Sequence, residues 1–128
     1  MRPETKEWID KAEGDYHCAL REMRAKSFAN HDDACFHCQQ CIEKYIKARL
    51  TEADRSFPKT HDLVNLLDLA LPLEPLWSPL RPALTILTQY AVMFRYPGES
   101  ATRAQAQEAF RHCKAIRQII RPSLGLAR

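Results

Sequence analysis

Apolar side chains return every three to four residues in several stretches of this chain, the spacing of helices that turn one face to a core. The longest clean run is ACFHCQQCIEKYIKARL, Ala34 to Leu50, and it predicts the central helix. At about 100° per residue, Ala34, Cys35, Cys38, Cys41, Ile42, Tyr45, Ile46 and Ala48 share an arc of roughly 160°. Gln40, Glu43, Lys44 and Lys47 lie opposite and are expected in solvent. Phe36 also falls on that polar side, where an exposed aromatic ring offers a surface for a partner to cover.

The same period places the other elements around that helix. A first helix is expected from about Pro3, a residue tolerated at a helix start, to about Ala25. Trp8, Ala12, Tyr16, Ala19, Leu20 and Met23 form its inward stripe. Asn30 or Asp32 can accept the free N–H groups that open the central helix, which should end near Glu52. Thr60 reads as an N-cap for a short helix from His61 to about Leu71. Prolines at 72, 75, 79 and 82 then make a rigid connection, with Trp77 as a plug. A fourth helix is expected from about Leu80 to Arg95, ended by Pro97 and Gly98. A fifth, opened by Ser100 or Thr102, should run to about Arg121 and stop at Pro122. The fold class is all-α, an up-and-down bundle of four long helices plus one short one.

Composition agrees and sets limits. A chain of 128 residues with 45% hydrophobic content, three glycines and eight prolines fits a single helical domain over residues 1–128. No apolar run nears the roughly 18 residues that span a bilayer, so no membrane role and a cytoplasmic location are expected. The net charge of +3 hides an asymmetry: residues 1–77 hold 11 Lys/Arg against 14 Asp/Glu, and residues 78–128 hold 8 against 2. A basic second half suits an anionic partner such as RNA, a nucleotide or an acidic protein.

Four features could carry chemistry. Cys35, Cys38 and Cys41 imitate a metal motif. Along a helix rising 1.5 Å per residue, however, the outer two stand about 9 Å apart, too far for one zinc at about 2.3 Å per sulfur. Reduced core thiols are expected, with no metal and no cofactor. His61, in KTHDL, could bind phosphate or act as an acid or base, and could equally cap or pack. Arg95, between Tyr90 and Tyr96 at a Pro-Gly turn, offers a forked donor beside stacking surfaces, or serves only the carbonyls of its own helix end. Arg103, Lys114, Arg117 and Arg121 fall within a sector of roughly 60° on the fifth helix, bordered by Gln107 and Arg111. That stripe is the strongest electrostatic candidate for RNA or nucleotide phosphate, without base-reading aromatics.

The order CQQCIEKYIKARL, then KTHDLVNLL, then an aromatic-rich helix ending in RYPG resembles the HEPN domain family over essentially the whole chain. The resemblance implies a helical bundle that forms a homodimer, often paired with a minimal nucleotidyltransferase as a toxin–antitoxin couple. Many members are metal-independent ribonucleases with an Arg-x4-6-His motif at the dimer interface; others bind nucleotide or serve only as partners. Arg95 stands where the family arginine is expected. The positions for the histidine are Ser100, Ala101 and Thr102, so a non-catalytic member is expected unless His61 substitutes. The alternative implied by the family is an active ribonuclease toxin.

Overall fold

In a computed structural model describing residues 1–128, the chain forms five α-helices: α1 (Pro3–Arg24), α2 (His31–Glu52), α3 (Leu63–Ala70), α4 (Arg81–Met93) and α5 (Arg103–Ser123). A 3₁₀ helix over Pro75–Leu80 leads into α4, so the Pro-marked connection is itself wound, and Trp77 within it is buried. The all-helical bundle expected from the period is what forms, and α2 is its axis, touching each of the other four helices.

Ile42, Tyr45, Ile46 and Leu50 of α2 meet Leu66 and Leu67 of α3, Leu84 and Leu87 of α4, and Ile116 and Ile120 of α5 in one core cluster. Each such side chain contributes about 1.5–3 kcal/mol when fully buried. Cys35, Cys38, Cys41 and Cys113 are buried free thiols within it, and burial, the main cause, pushes the Cys35 thiol up to about 12. No group of three or more His, Cys, Asp or Glu side chains is arranged to hold a metal ion.

The polar face of α2 is where the period misleads. Gln40 and Lys44 are partly exposed, as a solvated face requires, but Glu43 and Lys47 are only 3% and 7% exposed, and Gln39 on the same flank is 2% exposed. Lys47 Nζ lies 3.1 Å from Glu43 and 5.6 and 5.7 Å from the ring centroids of Trp8 and Phe57. A charge can be buried when an opposite charge and aromatic faces come with it. Hydropathy along one helix does not register such partners from α1 and the α2–α3 loop. Phe36 is likewise only half-exposed, because the Arg95 guanidinium covers its ring at 5.5 Å.

Local signals settle the helix starts. Asn30 Oδ1 accepts the Asp33 N–H at 3.0 Å and caps α2, while Asp32 accepts the Ala101 N–H at 2.6 Å and ties the α4–α5 loop to the head of α2. Thr102 and Gln105 form a reciprocal capping box on α5. The cap of α3 is Asp62 rather than Thr60: its carboxylate accepts the Val64 N–H at 2.9 Å, and Thr60 Oγ1 accepts the Asp62 N–H. His61 therefore precedes α3 instead of lying in its first turn. Helix α4 ends at Met93, two residues before Arg95, and the turn beyond it uses Gly98 at φ +90°, a conformation that suits glycine.

Candidate functional site

The most telling polar arrangement sits between α2 and α4. Gln39 and Glu43, one turn apart on α2, fix the α2–α3 loop: Gln39 Nε2 donates to the His61 carbonyl at 2.7 Å and to Glu43 Oε1 at 3.1 Å. His61 Nδ1 then donates to the same Glu43 oxygen at 2.7 Å. Burial opposes ionisation of Glu43, but hydrogen bonds from His61, Gln39 and Lys47 outweigh it and hold the carboxyl below its ordinary value. A carboxylate on Nδ1 sets the tautomer and leaves Nε2 free, on a side chain that is 76% exposed.

Arg95 reaches the same cleft from the end of α4. Phe36, Gln39, Gln40, His61, Thr88 and Arg95 line it together. Arg95 is exposed, stacks on Phe36 and makes no ion pair within the chain. The cleft holds only about 30 Å³, room for about one water, so any larger ligand must rest on its rim. Chemically, the pair presents a forked cation that can hold a phosphate and an imidazole nitrogen that can accept or deliver a proton.

The remaining sequence candidates do not converge on this cleft. Tyr90 is half-buried, and its hydroxyl donates to Glu108 at 2.5 Å, a bond that raises its pKa to about 12; it joins α4 to α5. Tyr96 is exposed beside Arg95. The α5 stripe divides. Arg103 and Lys114 face solvent, whereas Arg117 and Arg121 turn inward to α1. Arg117 donates twice to Glu13, at 2.7 and 2.5 Å, and lies 4.2 Å over the Tyr16 ring. Arg121 donates to the Tyr45 hydroxyl at 2.8 Å, and that hydroxyl donates to Glu13 at 2.5 Å.

A family model described as the HEPN domain matches residues 5–122. The chain belongs to the HEPN domain family. Among solved structures, the crystal structure of TT1696 from Thermus thermophilus is similar at a TM-score of 0.78 and 20% identity, covering 95% of this chain and 99% of that one. At that identity the likeness concerns the fold. Comparison with curated protein sequences finds no match.

Within this HEPN domain, the positions after Arg95 that would hold a histidine are committed to starting α5. Thr102 is its N-cap, and the backbone of Ala101 is tied to Asp32. The imidazole that shares a cleft with Arg95 is His61, from the α2–α3 loop. Sequence reasoning singled out both residues but missed their support, because Glu43 was expected in solvent. The available signal was the spacing of Gln39, Glu43 and Lys47 at successive i,i+4 steps, which puts complementary polar groups in register on one helix flank.

Proposed function

We propose that this HEPN-domain protein is a non-catalytic homodimeric member that holds a phosphate of a nucleotide or RNA at Arg95 and His61 and partners a minimal nucleotidyltransferase in a toxin–antitoxin couple. The observation carrying the phosphate assignment is the convergence of an unpaired arginine and a carboxylate-braced histidine on one cleft. The homodimer is supported by Val92, Met93 and Tyr96, which leave apolar area exposed at the end of α4 beside Arg95. A cleft too shallow for a nucleotide gains a second wall if another copy packs there. The nucleotidyltransferase partner rests on the family resemblance alone, and its test is co-purification with the product of an adjoining nucleotidyltransferase gene.

A second reading, metal-independent ribonuclease activity, is favoured by the Glu43–His61 pair, since a braced imidazole is the form in which histidine serves as a general base. One assay separates the two: labelled RNA incubated with the protein in excess EDTA. The non-catalytic reading expects retention of the RNA by wild type, weakened by Arg95→Ala, with no cleavage products. Cleavage abolished by His61→Ala would replace it with the ribonuclease reading.

A further inference from the structure

A second cleft lies far from α3, between the α1–α2 loop and the head of α5. Its volume is about 620 Å³, lined by Arg24, Lys26, Phe28, His31, Arg103 and Gln107 among others. That size falls in the range of small-molecule sites. A hollow of about 430 Å³ continues from Phe28 and His31 to Ser100 and Ala101, on the loop that follows Arg95 and Tyr96.

Three observations at this place go together. Phe28 is fully exposed, and its backbone sits at φ +54°, a left-handed conformation that is an outlier for a bulky residue; the ring gains no burial from being held there. Arg24, Lys26 and Arg103 are exposed and none forms an ion pair. Glu22 also lines the cleft, where its carboxylate accepts the Asn30 N–H at 2.8 Å, and Asp32 accepts the Ala101 N–H; the three cations outnumber these two carboxylates. His31 Nδ1, in the wall shared by both hollows, has no hydrogen-bond partner in the chain.

We infer that this cleft binds a nucleoside phosphate, with the base stacked on Phe28 and the phosphate held by Arg24, Lys26 and Arg103. A flat aromatic face beside unpaired cations is the arrangement that takes up nucleotides without reading their sequence. The unit can be a free nucleotide or one residue of a single-stranded RNA. The continuation toward Ser100 gives a strand a path between this cleft and the Arg95 turn.

The test titrates the full chain, at low salt, with adenosine triphosphate by calorimetry and with a labelled ten-residue oligouridylate by fluorescence anisotropy. Phe28→Ala should weaken binding by roughly tenfold, the effect of losing one stacked base. Arg24→Glu with Lys26→Glu should weaken it further and flatten its salt dependence. Phe28→Gly should lose the same affinity while melting no earlier than wild type, which excludes misfolding as the cause. Binding of both probes identifies a free nucleotide as sufficient; binding of the oligonucleotide alone identifies the strand. Arg95→Ala should preserve the Phe28-dependent component, so failure of the α2–α4 assignment would leave this one standing. Wild-type affinity in both Phe28 variants, or no binding of either probe, overturns the inference.

Discussion

Replacing Glu13 by Gln tests whether Arg117 and Arg121 are structural rather than ligand-facing. The Glu13 carboxylate receives both nitrogens of the Arg117 fork and the Tyr45 hydroxyl, and Arg121 Nη1 stands 3.6 Å from it. The side chains of Glu13, Arg117 and Arg121 are 25%, 14% and 16% exposed. Breaking a fully buried pair costs about 3–5 kcal/mol, while exposed pairs contribute about 0–1 kcal/mol. This partly buried, bidentate arrangement belongs between them, at about 2 kcal/mol. For a domain of this size that corresponds to a melting temperature lower by about 8 °C at pH 7. Burial opposes ionisation of Glu13, yet the bonds from Arg117 and Tyr45 hold its pKa below the ordinary carboxylate value. The associated stability is therefore present above about pH 4.5 and lost as pH falls through the lowered native pKa. Urea denaturation of wild type and Glu13→Gln across pH 3–7 should show a gap that is full at neutral pH and closes in acid. A gap under about 0.5 kcal/mol at pH 7, or one independent of pH, would mean that the Glu13 ion pairs contribute no more than exposed ones.

Three further outcomes follow from particular residues. Glu43→Leu should cost about 3–4 kcal/mol in urea denaturation by stranding buried Lys47, and Glu43→Leu with Lys47→Met should recover most of it; equal losses in the single and double variants would contradict the buried-pair account. Phe28→Gly should raise stability by about 0.5–1 kcal/mol, since glycine accepts positive φ that phenylalanine resists, and a lower melting temperature would count against that strain. Met93→Glu, at a surface position, should leave the helical circular dichroism intact but shift sedimentation from dimer to monomer. A wild-type chain that sediments as a monomer at high concentration would sink the dimer proposal.

The helices and the core were legible because each buries a stripe that repeats at the helical period. Tyr45 and Ile46 of the central helix, and Ala12, Tyr16 and Ala19 of the first, all went where that period put them. The caps were legible as chemistry but ambiguous between neighbours. Asn30 and Asp32 can both accept an N–H, and only the position of Ala101 decides that Asp32 serves another segment. The site was half legible. Arg95 and His61 stood out as reactive types at helix ends, but their meeting depends on how α4 and the α2–α3 loop pack across α2. The inward turn of Arg117 and Arg121 was hidden for the same reason, because Glu13, their counter-charge, lies more than a hundred residues earlier in the chain.

A phosphate shared by Arg95 and His61 can be followed in a nuclear magnetic resonance titration of the Arg95 Nε–H and the His61 ring, with adenosine monophosphate and then a short single-stranded RNA as probes. If both residues hold one phosphate, their resonances should move together and saturate at the same ligand concentration, and Arg95→Ala should abolish the His61 response. Resonances that stay fixed, or that saturate at different concentrations, would contradict a single site at the α2–α4 cleft.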